Sequence, residues 1–104
     1  MRTYELMEKV IGTNQDRANS CYFIIDGVLL RIADHQANNT NFEAYNEGFN
    51  AILNVIISDD FVSEKDFNAY LDENNVNGEI LVVSESENID DVVETIKYYL
   101  NRLK

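Results

Sequence analysis

The sequence predicts an α+β fold: one mainly antiparallel four-stranded sheet with helices packed on it, in the order α-β-β-β-α-β-α. Three observations carry that expectation. Asp26-Gly27, a dipeptide that tolerates positive φ, joins two apolar runs at 21–25 and 28–32, the pattern of a β-hairpin with a two-residue turn. Residues 79–83, Glu-Ile-Leu-Val-Val, form a short apolar run after Asn77-Gly78, as a buried strand does. Residues 89–103 place Ile89, Val92, Val93, Ile96, Tyr99, Leu100 and Leu103 at helical spacing.

Taken in order, residues 3–11 carry Tyr4, Leu6, Met7, Val10 and Ile11 among charged residues, a helical stripe with Thr3 as its cap and Gly12 as its stop. The polar run 13–19 leads into the hairpin. Both hairpin runs are too apolar for a strand with one wet face, so the hairpin is expected near the middle of a sheet that helices cover. Residues 34–41, rich in Asn and Asp, read as a loop, because their side chains compete with regular backbone pairing. Residues 42–50 are ambiguous. Residues 49–58 are rich in β-branched residues and read as a third strand, with Phe49, Ala51, Leu53, Val55 and Ile57 on one face. Ser63 then caps a helix to about Asn74, with Asp66 at the capping-box position and Phe67, Tyr70 and Leu71 inward. In the closing helix Asp90, Asp91 and Glu94 precede Lys97, Arg102 and Lys104, the order that the helix dipole favours.

A chain of 104 residues with 45% apolar content can bury a core of its own, and without proline, repeats or a linker tract it is expected to be one domain over 1–104. It lacks a run of about 20 apolar residues and a signal-peptide core near its start, so the expectation is a soluble cytoplasmic protein. Its single cysteine, Cys21, reads as a small buried hydrophobe.

Charge is the most informative feature of the composition. Residues 1–33 hold four acids (Glu5, Glu8, Asp16, Asp26) and four bases (Arg2, Lys9, Arg17, Arg31) and are neutral overall. Residues 34–94 hold fifteen acids against Lys65 alone, a net of −14, and the tail returns three positive charges, for a total of −11. Such a domain repels nucleic acid and anionic membrane and attracts basic protein surfaces.

Catalytic and metal motifs are sparse. Asp34 beside His35, the only histidine, could orient an imidazole as a general base, although neighbours on extended chain point to opposite faces and no nucleophile is evidently near. Glu73-x-Asn75-x-Asn77-Gly78 starts like a calcium loop, but position twelve is Ser84 where a bidentate Glu is needed. One His and one Cys are too few soft ligands for zinc, and no Gly-rich phosphate loop occurs. No metal and no cofactor are expected.

Arg31-Ile32-Ala33-Asp34-His35, following an apolar hairpin strand, resembles the R-I-S-D-H element of small proteins from phages and mobile elements, with Ala33 in place of the usual Ser. The resemblance spans about fifteen residues. It implies a mobile-element source, where small acidic proteins that block host defence are common, among them anti-CRISPR proteins that occupy a nuclease's DNA groove.

The expected function is therefore that of a non-catalytic inhibitor presenting carboxylates to a basic nucleic-acid-binding protein, with no direct contact to nucleic acid or membrane. An immunity or antitoxin protein that neutralises a basic toxin is the first alternative, and a small enzyme using Asp34 and His35 the second. The carboxylates expected to make contact are Asp59, Asp60, Glu64 and Asp66 around one helix start and Glu85, Glu87, Asp90, Asp91 and Glu94 around the other. If the third and fourth strands lie in one sheet with their helices on the same side, these two clusters converge on one rim. The oligomeric state is left open.

Overall fold

The computed structural model describes residues 1–34, 51–59 and 78–104, together with Lys65. The described elements are α1 (Thr3–Ile11), β1 (Ser20–Ile25), β2 (Val28–Asp34), β3 (Ala51–Ile57), β4 (Glu79–Val83) and α2 (Ile89–Leu103), an α+β arrangement of two helices and one four-stranded sheet. The helix expected to run from Ser63, apart from Lys65, and the ambiguous stretch 42–50 lie outside the described residues; of the loop expected at 34–41, Asp34 instead ends β2, where it pairs with Ile57, and the rest lies outside the described residues.

The hairpin forms as its turn dipeptide predicts. Asp26 has φ 50° and Gly27 φ 80°, two left-handed residues in succession, which matches the twist of the flanking strands; Ile25 then pairs with Val28. The rest of the sheet corrects the expectation of a mainly antiparallel arrangement. Strand order is β1-β2-β3-β4, and although β1 and β2 are antiparallel, β2–β3 and β3–β4 are both parallel. Parallel neighbours must be joined by a long crossover, and 35–50 and 58–78 supply the chain length. Strand β2 and strand β3 also have the composition of parallel strands, apolar almost without alternation and buried on both faces. The hairpin is not central as a unit either. Only β2 is interior; β1 is the first strand of the sheet and leaves Tyr22, Phe23 and Ile24 exposed.

One face of the sheet carries the main core. Cys21, Val28, Leu30, Ile32, Leu53, Val55, Ile57 and Val83 point to it, and Leu6 and Met7 of α1 with Val92, Val93, Ile96 and Leu100 of α2 pack onto them. Each fully buried Leu, Ile or Met side chain there contributes on the order of 1.5–3 kcal/mol. On the opposite face the register aligns Tyr22, Arg31, Asn54 and Ile80 in one row across the four strands. Leu29, Ala33 and Ile56 on that face are fully buried, and so is Asn54.

The helix ends follow local chemistry, with one exception. Gly12, at φ 79°, ends α1 and donates its N–H to Glu8 O at 2.7 Å. Thr3, however, is the first helical residue and does not cap; its buried hydroxyl donates to Ala18 O at 2.6 Å, tying the helix to the segment before β1. At α2, Arg102 reaches Glu79 at 3.2 Å and Lys104 reaches Asp26 at 3.0 Å, exposed pairs worth well under about 1 kcal/mol each.

Gly78 starts β4 at φ 85°, where a Cβ would lie 2.5 Å from Ile52 O and 2.8 Å from Ile52 Cβ. Gly12 is also left-handed, but a Cβ there meets nothing within 4 Å. Both Gly→Ala changes carry the left-handed penalty, and Gly78→Ala adds a backbone collision of about 1–3 kcal/mol. Urea denaturation should therefore show Gly78→Ala as clearly the less stable variant.

Candidate functional site

Because β3 and β4 are parallel, they end on the same edge of the sheet, and the acids that follow each strand meet there. Ser58 continues the pairing by donating its N–H to Val83 O at 2.9 Å. Asp59 then turns its carboxylate onto the exit of β4: Oδ1 accepts a short hydrogen bond from Ser84 Oγ and another from Glu85 N at 3.1 Å. Glu87 folds back on the same turn, its Oε2 accepting from Ser84 N at 2.8 Å. Ser84 and Ser86 complete the turn with hydroxyls 2.9 Å apart.

This turn delivers the chain to Asn88, whose Oδ1 accepts from Asp90 N at 3.0 Å and Asp91 N at 3.3 Å, satisfying two donors that a helix start leaves open. Asp90 and Asp91 lie in the first turn of α2, where the helix dipole offsets the cost of clustering acids. Glu94 follows one turn on.

The edge thus gathers Asp59, Glu85, Glu87, Asp90 and Asp91, with Glu94 beside them on the helix, all six exposed. Their engagements differ. Asp59 and Glu87 brace the turn, and Asp90 pairs with Lys9 of α1 at 3.1 Å. The side chains of Glu85, Asp91 and Glu94 make no hydrogen bond or ion pair among the described residues. Asp60, Glu64 and Asp66 lie outside the described residues, as does His35.

Strand β2 ends on the same edge with Asp34, which is half-buried and opposite Ile57. Asp34 lines a cleft of about 320 Å³ together with Arg2, Tyr4, Arg17, Ile57 and Glu85. The Arg17 guanidinium stands 5.5 Å from the centre of the Tyr4 ring, within cation–π range. The one hydroxyl of Thr3 in this cleft is already committed to Ala18 O. Among the described residues, no three His, Cys, Asp or Glu side chains are grouped to hold a metal ion. Cys21 is buried beneath α1, its Sγ donating to Asp16 O at 3.8 Å; burial pushes its thiol pKa up, a hydrogen bond with Thr3 opposes this, and the charges of Asp16 and Glu8 each add a smaller upward push.

Two features escape a reading of residue types alone. Arg31, 5% exposed, donates Nη1 to Asn54 Oδ1 at 3.3 Å between adjacent strands, and Asn54 Nδ2 has no hydrogen-bond partner among the described residues. A single polar residue in the middle of each apolar strand, VLLRIAD and AILNVII, is the available signal, but only the register sets the two opposite each other. The second is the double acceptance by Asn88, hidden within a polar run.

Comparisons with protein-family models, with curated proteins and with solved structures find no match. Among the described residues no helix is long and apolar enough to cross a membrane.

Asn88→Ala should destabilise the protein by about 1 kcal/mol, since both capped N–H groups lose their acceptor. Asp91→Ala should cost no more than about 0.3–1 kcal/mol, the dipole contribution alone. Thermal or urea unfolding of the two variants checks the order. Cys21 should react slowly with a thiol reagent at pH 8 in the native protein and quickly once unfolded, as its burial and raised pKa require.

Proposed function

We propose that this chain is a non-catalytic binding protein that inhibits a basic, nucleic-acid-binding partner by offering the carboxylates of the strand-end edge in place of DNA phosphates. What supports this reading is that Asp59, Glu85, Glu87, Asp90, Asp91 and Glu94 share one exposed edge, braced by Ser84 and by the Asn88 cap. Duplex DNA carries about one negative charge per 1.7 Å of axis, and its binders present matching Lys and Arg arrays. Carboxylates fixed on a rigid edge compete for such arrays with little ordering cost. Asp60, Glu64 and Asp66 extend the proposed contact set from the sequence side.

Within the set the contributions divide. Glu85, Asp91 and Glu94 are available to a partner, whereas Asp59 and Glu87 act mainly by holding the turn. An RNA-guided CRISPR nuclease is the partner class that the Arg31 to His35 resemblance suggests, and a basic toxin is the alternative. The cleft beside Asp34 gives the enzyme reading its one supporting observation, a concave space at the carboxyl ends of β2 and β3.

In gel-shift competition, the protein should displace DNA from a panel of purified CRISPR nucleases at about 0.1 M salt, where the screening length is about 10 Å, and lose potency as salt rises. Glu85→Lys/Asp91→Lys should lower that potency at least about tenfold. Glu5→Lys/Asp16→Lys, which changes the net charge equally on the neutral part of the chain, should lower it much less. Equal losses would mean that total charge governs association. Rescue of cells from a co-expressed basic toxin, with no effect on any nuclease, would favour the antitoxin reading. Activity on a small substrate abolished by His35→Ala, with the fold retained, would favour the enzyme.

A further inference from the structure

Among the described strands β1 has a neighbour on one side only, and it contains no charged residue. Three consecutive large side chains on it are open to solvent: Tyr22 at 50%, Phe23 at 41% and Ile24 at 53%. Edge strands in monomeric domains are commonly guarded by lysine, proline or a bulge. Here none is present, since the chain has no proline and β1 pairs with β2 without interruption from Ser20↔Ala33 to Ile25↔Val28.

The backbone phase follows from one bond. Asp34 donates its N–H to Asn19 O at 3.0 Å, so the odd-numbered residues of this segment hydrogen-bond toward β2. Ser20 and Ile24 therefore direct their backbone N–H and C=O away from it. A cleft of about 330 Å³, lined by Gln15, Asp16, Ala18, Ser20, Cys21 and Tyr22, opens beside the start of the strand.

We propose that this edge is a self-association surface on which a second copy of the chain lays its own β1 antiparallel, merging two four-stranded sheets into one of eight. The side chains favour edge pairing over a one-sided contact. Phe23 shares the helix-covered face with Leu30 and Ile24 lies on the opposite face, so a strand alongside shelters both. Charge selects the partner. Residues 1–33 are neutral overall, so two molecules of charge −11 approach here with the least repulsion, while a basic partner finds no carboxylate on the strand. The other edge among the described strands differs: β4 is followed by the exposed carboxylates of Glu85 and Glu87, so head-to-tail growth is disfavoured and the assembly closes at two.

Sedimentation velocity of the full chain from roughly 1 μM to 1 mM should show a concentration-dependent monomer–dimer equilibrium with no larger species. Phe23→Lys and Ile24→Lys should each weaken the dimer at least about tenfold, with unchanged circular dichroism. Ile24→Thr keeps a β-branched residue and should weaken it in the same direction, which guards against a lysine variant that misfolds. Glu85→Lys/Asp91→Lys should leave it intact, which separates this surface from the acidic edge. A chain that stays monomeric throughout, a dimer indifferent to the β1 substitutions, or growth beyond two copies would overturn the proposal.

Discussion

The parallel register of β2 against β3 is the constraint from which the other features descend. Val28↔Ala51 through Asp34↔Ile57 aligns the two most buried of the described strands and buries both faces of each. With β4 parallel to β3 as well, three strands finish on one edge of the sheet. The acids after β3 and β4, and Asp34 at the end of β2, then have no separate places to go. The same register sets Arg31 opposite Asn54, and the buried guanidinium donates to its neighbour's amide oxygen.

How much of this could be read from residue order depends on the range over which each signal acts. The bounds of α1 and β4, the hairpin turn and the start of α2 all rest on local chemistry: an apolar period, a dipeptide suited to positive φ, a glycine stop. Strand direction was legible only in part: a helix expected between the third and fourth strands permits a parallel neighbour, but alternation and run length report burial and are blind to which way the next strand runs. The near-continuous apolar runs of β2 and β3 were compatible with parallel pairing, yet their adjacency in the chain suggested a meander. Position within the sheet was hidden for a related reason. The run Tyr22-Phe23-Ile24 reads as a strand buried on both faces, and it occupies an edge. Thr3 shows the same limit at the scale of one side chain, since a hydroxyl at a helix start looks like a cap until Ala18 O is found beside it.

Acid-rich surfaces are often treated as uniform, but the strand-end edge is not. Two of its carboxylates are structural, accepting hydrogen bonds that hold the Ser84 turn, one pairs with Lys9, and the remainder face solvent. A turn braced by its own acids positions the others with less conformational freedom than a disordered acidic tail would have. The capped start of α2 adds to this by offsetting the mutual repulsion of Asp90 and Asp91. Charge density and rigidity are thus built from the same residues.

The mixed character of the sheet also orders events in time. The β1–β2 hairpin closes through a two-residue turn and belongs to the class of structure that forms within about 1–10 μs. The β2–β3 and β3–β4 pairings each wait on closure of a long connection, 35–50 or 58–78, and gain no contact until it is complete. A hairpin that closes ahead of β3 has both of its edges apolar and open until β3 docks. The slow step of folding and the moment of greatest aggregation risk coincide in the wait for β3.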